Sequence, residues 1–85
     1  MVEIKYVIRD ELGIHARPAG RLVQKVSAFE SFAQIGTGDK MVDAKRIMGV
    51  MSLAMKQGDE ITMTFDGKDE AEAAKELEAF LKENL

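Results

Sequence analysis

The sequence has no cysteine, one histidine, one proline, five aromatic residues and no run of basic residues. Without cysteine the chain has no disulfide framework, no thiolate zinc site and no cysteine nucleophile. The lone histidine has no cluster of carboxylates around it in the sequence, so we predict neither a metal site nor a cofactor. A net charge of -3 and the shortage of aromatics also make nucleic acid a poor partner. Small molecules and other proteins remain as candidate partners.

The length of 85 residues predicts one domain, over residues 1–85. The opening stretch Met1-Val2-Glu3-Ile4-Lys5 lacks the basic region and apolar run of a signal peptide. No apolar run is long enough for membrane insertion. We therefore expect a cytoplasmic protein, with a monomer as the default.

Apolar periodicity predicts seven elements in the order βαββαβα. Alternating apolar and polar residues predict strands at 2–8 and 61–65 and a further strand that starts with Ala33 and Ile35. The tight-turn dipeptide Gly38-Asp39 predicts that 41–42 form a short return strand of a hairpin. Helical spacing predicts a helix at about 16–27, and the almost wholly apolar segment 47–53 predicts a second, short helix. Asp69 and Glu72 resemble a capping box before a third helix, whose apolar face is Ala73, Leu77, Phe80 and Leu81. Helices inserted between strands of a small antiparallel sheet cover one face of it, so the fold class is an α+β two-layer sandwich.

The candidate site is the octapeptide from Gly13 to Gly20, which holds the only histidine and the only proline. Proline is tolerated in the first turn of a helix, so Pro18 predicts a helix that begins just after His15. Free amides and the positive end of the helix dipole favour an anion there, and Arg17 adds a permanent positive charge. Imidazole is also a nucleophile. This combination predicts a phosphate site in which His15 itself carries the phosphoryl group.

The segments Gly-Ile-His-Ala-Arg-Pro-Ala at 13–19 and Ile-Met-Gly-Val-Met-Ser-Leu at 47–53 also carry a resemblance. Together with the length and the order of elements, they resemble the histidine-containing phosphocarrier (HPr) family of the bacterial sugar phosphotransferase system. The resemblance implies an open-faced sandwich in which three helices cover one face of a four-stranded sheet of order 1-4-2-3.

The same resemblance implies a function. His15 would accept a phosphoryl group on Nδ1 from phospho-enzyme I and pass it to the IIA component of a sugar transporter, so the protein would be a carrier and not an enzyme. Arg17 would be the partner of the phosphate, and the N–H groups of Ala16 and Arg17 would form its cradle. Pro18 would be structural. The implied docking residues are Gly20, Ile47, Met48 and Met51.

Residue 46 departs from the family pattern. Many relatives have a serine there that HPr kinase phosphorylates, whereas this chain has Arg46. Arginine cannot accept phosphate, so we predict no regulation through this position. Arginine is also a poor helix cap compared with serine, a difference of about 1 kcal/mol.

The sequence leaves two alternative functions to consider. The first is an HPr-like regulatory binding module that contacts partners without relaying phosphate, and the second is a small nucleic-acid binder of ferredoxin-like fold. The presence of His15, Arg17 and Pro18 together favours the carrier over the regulator. Acidity and the lack of aromatics at the strand centres disfavour the nucleic-acid binder.

Overall fold

The seven predicted elements are present in the computed structural model, which describes residues 1–85. Their order is βαββαβα, as predicted. The strands are β1 (Val2–Val7), β2 (Phe32–Thr37), β3 (Lys40–Asp43) and β4 (Glu60–Asp66). The helices are α1 (Ala16–Val26), α2 (Ile47–Ser52) and α3 (Glu70–Asn84). Each predicted element overlaps its counterpart in the structure.

The four strands form one antiparallel sheet in the order β1-β4-β2-β3. This order and the α+β class are therefore confirmed. Strand β4 lies at the centre, with Met63 opposite both Ile4 on β1 and Ile35 on β2. Because side chains alternate between faces along a strand, this register brings the apolar sets of the strands onto the same face.

One face of the sheet is buried beneath the helices, and the other faces water. Ile61, Met63 and Phe65 of β4 are fully buried, whereas Glu60 and Asp66 are exposed. Helices α1 and α3 contribute Leu22, Val26, Leu77 and Leu81 to the same core. Each such side chain contributes about 1.5–3 kcal/mol when fully buried. No helix has both the length and the apolar character needed to cross a membrane.

The capping box predicted at the start of α3 is wrong. Asp69 is the N-cap residue, but its side chain makes no cap hydrogen bond. Its φ of -102° and ψ of 22° differ from the extended backbone of a typical N-cap. The carboxylate instead accepts hydrogen bonds from the N–H groups of Glu30 (2.8 Å) and Ser31 (2.9 Å) and from the Ser31 hydroxyl. Asp69 thus fastens the segment before β2 to the start of α3.

Candidate functional site

His15 is the N-cap residue of α1, so the predicted helix start directly after it is confirmed. Its backbone is extended (φ -123°, ψ -175°), and its carbonyl accepts the first helical hydrogen bond, from Ala19 N–H at 2.9 Å. The side chain makes no cap hydrogen bond. The imidazole is half-buried, so the ring is supported by its surroundings but not enclosed.

The first turn of α1 has unused hydrogen-bond donors. The N–H groups of Ala16 and Arg17 have no acceptor within the chain, and Pro18 has no N–H to satisfy. The first turn has no acidic residue. The Arg17 side chain is exposed and forms no ion pair. An anion beside His15 would therefore meet two free amides, the positive end of a helix dipole and a guanidinium group.

The turn that leads into His15 is held by four hydrogen bonds. Asp10 accepts from Gly13 N–H through its carbonyl (3.0 Å) and from Leu12 N–H through Oδ1 (2.8 Å). Leu85 O accepts from the N–H groups of Arg9 (2.6 Å) and Asp10 (2.8 Å). These bonds fix the backbone of the turn before His15.

Gly13 connects this turn to the segment after α2. Its φ is +65°, a backbone conformation that residues other than glycine rarely adopt. A Cβ there would overlap the carbonyl oxygen of Met55 and lie 2.8 Å from the Cα of Lys56. The same carbonyl accepts the N–H of Ile14 at 3.1 Å. Glycine is therefore required for the close contact that places His15.

Helix α2 presents apolar side chains beside the first helix. A Cβ at Gly20 would lie 3.7 Å from Cδ1 of Ile47, so the two predicted docking positions adjoin. Ile47 is 42% exposed and Met48 78% exposed, and Met51 is half-buried. Val50 and Leu53 face the core instead. The implied docking residues Ile47, Met48 and Met51 are thus at least partly accessible to a partner.

Arg46 occupies the N-cap of α2 and makes no side-chain cap hydrogen bond, as expected for arginine. Its side chain is 81% exposed, and its Nε lies 3.8 Å from Oδ2 of Asp43. Exposed ion pairs of this kind contribute little to stability. The charge of Arg46 is therefore presented at the edge of the Ile47 and Met48 surface.

One contact of the site, and one exposed side chain close to His15 in the sequence, have no counterpart in the sequence prediction. One is the carbonyl of Met55, because a backbone atom some forty residues away leaves no mark in a local pattern. The other is the exposed side chain of Leu12, which is 73% accessible. The Asp-Glu-Leu-Gly sequence signals a turn, and a leucine in an exposed turn is the signal that sequence reasoning passed over.

Comparison with known proteins decides the family. Residues 2–83 match the family model described as the PTS HPr component phosphorylation site, where PTS denotes the phosphotransferase system. The chain belongs to the HPr family. The members of this family are phosphocarrier proteins of the sugar phosphotransferase system.

Individual members of the HPr family are similar over nearly the whole chain. The phosphocarrier protein HPr of Lysinibacillus sphaericus is 43% identical over 79 residues, which cover 93% of this chain and 90% of the relative. The solved histidine-containing phosphocarrier protein of Mycoplasma has a TM-score of 0.92 and 35% identity, covering 96% of this chain and 93% of that chain.

A third similar protein is the HPr-like protein Crh of Bacillus subtilis (strain 168). It is 41% identical over 85 residues, which cover 100% of both chains. A crystal structure of Crh, a catabolite repression protein, matches this fold with a TM-score of 0.78, covers 100% of this chain and 98% of that chain, and is a swapped dimer. Within the HPr family, this chain is therefore similar both to a phosphocarrier and to Crh.

Proposed function

We propose that this protein carries a phosphoryl group on His15 between phospho-enzyme I and the IIA components of sugar transporters. The observation that carries the proposal is the open N-terminus of α1, where the half-buried ring adjoins two amides without acceptors. An anionic group bonded to the ring would be stabilised by those amides and by the exposed guanidinium of Arg17.

The transfer needs an in-line arrangement of two imidazole rings. The lone pair of His15 Nδ1 attacks the phosphorus of the donor's phosphohistidine, a P–N bond forms, and the donor's P–N bond breaks with its electron pair left on the donor ring. The reverse geometry, with an acceptor's ring as nucleophile, releases the group. The amides of Ala16 and Arg17 stabilise the phosphoryl oxygens in both directions. Pro18 keeps the helix start fixed.

The partner surface is apolar at its centre and basic around it. Ile47 and Met48 are exposed beside Gly20, and methionine adapts its shape to different partners. On α1, Arg17 and Arg21 form no ion pairs, and Arg46 lies at the edge of α2. We infer that Gly20, Ile47, Met48 and Met51 contact partners whose facing surfaces are apolar with an acidic border.

The direct test is phosphorylation by purified enzyme I with radiolabelled phosphoenolpyruvate. The native chain is expected to gain an acid-labile label, and His15→Ala is expected to gain none. Far-ultraviolet circular dichroism of His15→Ala checks that the variant is folded. A label that persists in His15→Ala would contradict the proposal, as would a native chain that gains no label.

We also propose that this chain is not a substrate of HPr kinase. Arg46 cannot accept phosphate, and the nearest serine in α2, Ser52, donates its hydroxyl to the carbonyl of Gly49 at 2.6 Å. Incubation with HPr kinase and ATP should leave the mass of the protein unchanged, with an HPr that has a serine at this position as the positive control. A phosphate mapped to Ser52 would contradict this expectation.

The second candidate function is a regulatory binding module, which the full-length similarity to Crh favours. In that case partners would bind the α2 surface whether or not His15 is phosphorylated. Adding a IIA protein to the labelling experiment separates the two functions, because only the carrier passes the label on to the IIA protein.

We further propose a cytoplasmic monomer in which β1 pairs with β4 of its own chain. Light scattering after gel filtration would reveal a dimer like that of Crh.

A further inference from the structure

Three of the six exposed large apolar side chains belong to the loop before His15 or to α2. Two of them, Ile47 and Met48, belong to the surface already proposed for docking. The third is Leu12, which precedes the histidine by three residues and is 73% exposed. Exposed leucine is ordinary when it is isolated, but here it lies beside a proposed interface.

Leu12 is held on a fixed backbone. Its own N–H is bonded to Asp10 Oδ1, and the next residue packs against the carbonyl of Met55. Gln57 Nε2 donates to the carbonyl of Arg9 at 3.1 Å, which adds a further tie to the same segment. Because this backbone is already ordered, a partner that covers Leu12 has only the side chain, and not the loop, to immobilise.

Leu12 lies within the reach of a partner of typical size that covers His15. Three residues span at most about 11 Å between Cα atoms. A typical protein interface buries about 800 Å² on each partner, which corresponds to a radius of about 16 Å. A footprint centred near the imidazole therefore extends beyond Leu12 on the loop side, as it extends over Ile47 on the α2 side.

We propose that Leu12 is a docking and specificity-determining residue that enters an apolar depression on enzyme I. This inference rests on the proposed function. The exposed carboxylate of Glu11 adjoins Leu12, whereas α1 and the edge of α2 are basic. The facing surface of enzyme I is thus apolar and free of acidic groups opposite Leu12, and acidic opposite Arg17 and Arg46.

The test compares Leu12→Ser with two control variants. Serine keeps the backbone N–H and suits a turn, so Leu12→Ser retains the fold. Leu12→Met keeps an apolar side chain of similar volume. Phe32→Ser removes a side chain that is 56% exposed at the opposite end of the sheet, where Phe32 pairs with Asp66. Initial labelling rates are measured with enzyme I of Lysinibacillus sphaericus and radiolabelled phosphoenolpyruvate over a range of carrier concentrations.

For Leu12→Ser, the KM for the carrier is expected to rise about tenfold while kcat stays unchanged, which corresponds to about 1.4 kcal/mol of binding free energy. Leu12→Met and Phe32→Ser should remain within twofold of the native KM. A native KM in Leu12→Ser, or an equal rise in Phe32→Ser, would overturn the role of Leu12 while leaving the carrier function intact. A native chain that gains no label would instead overturn the proposed function, and this inference with it.

Discussion

Helices α1 and α3 begin in opposite ways. At the start of α1, His15 makes no cap hydrogen bond, the amides of Ala16 and Arg17 have no acceptor, and no acidic residue is present. At the start of α3, the first turn contains Glu70 and Glu72, and Glu70 accepts a hydrogen bond from Gly67 N–H at 3.1 Å. The positive end of the helix dipole therefore has two carboxylates beside it in α3, one of them held by a hydrogen bond, and no carboxylate in the first turn of α1.

The difference shows how one backbone feature serves either stability or binding. A carboxylate at a helix start stabilises the helix permanently, and α3 uses it in that way. A helix start without one is less stable, but it retains its capacity for an anion that comes and goes. We infer that α1 gives up cap stability because a permanent acid near His15 would repel the phosphoryl group.

The largest effect is expected from His15→Asp, which would place a carboxylate at the start of α1, where α3 has those of Glu70 and Glu72. Aspartate at the N-cap accepts a hydrogen bond from the first turn and interacts favourably with the dipole. We expect the free energy of unfolding to rise by about 1 kcal/mol and labelling by enzyme I to disappear. Urea denaturation and radiolabelled phosphoenolpyruvate measure the two effects.

The matched control for that experiment is His15→Ala. Alanine also removes the nucleophile but is a poor N-cap, so it should abolish labelling without any gain in stability. If His15→Asp and His15→Ala had equal free energies of unfolding, the missing cap would not lower the stability of α1. The difference between the starts of α1 and α3 would then have no effect on stability.

A smaller effect is expected from Arg17→Ala. Removing the guanidinium takes away one charged donor from the developing charge on the phosphoryl group, so transfer should slow by about 10²-fold. Arg17→Lys keeps the charge but loses the planar guanidinium fork, so its transfer rate should lie between those of the native chain and Arg17→Ala. Rapid-quench labelling at saturating enzyme I gives these rates. Equal rates in all three proteins would show that the helix start alone is sufficient.

Acid should weaken the α3 end of the molecule through Asp69. The Ser31 hydroxyl and the Glu30 amide hold the pKa of Asp69 below its usual value, because both donate hydrogen bonds to the carboxylate. A lowered pKa means that this stabilisation is fully present above the unfolded value of about 3.9 and is lost as the pH falls through the folded value.

The comparison is between the native chain and Asp69→Asn. The difference in their free energies of unfolding should be constant from pH 5 to pH 8 and shrink below about pH 4. Glu72→Gln is the control, because Glu72 lies in the same helical turn without bonding to residues 30 and 31. A difference that stays unchanged down to pH 2 would contradict the proposed cause.

The elements could be predicted because each depends on residues that are neighbours in sequence. The alternation in β4 and the position of Pro18 relative to His15 are local signals, and both led to correct elements. The partner of Asp69 was predicted wrongly because its carboxylate bonds to Ser31, 38 residues away. The anchoring of Gly13 on Met55 is a backbone contact of the same long-range kind, and only the folded chain reveals it.

The smallest effect should come from Arg46→Ser, and its two consequences have opposite signs. Serine caps α2 better than arginine, so the variant should gain about 1 kcal/mol in stability, although arginine's weak ion pair with Asp43 is lost. Association with enzyme I should slow a few-fold at low salt, because an exposed cation beside Met48 is removed, and the difference should diminish at moderate salt. Stopped-flow association rates at the two salt concentrations measure this. Equal rates at both would mean that Arg46 does not face the partner. A loss of rate together with a gain in stability would show that α2, like α1, sacrifices its cap for binding.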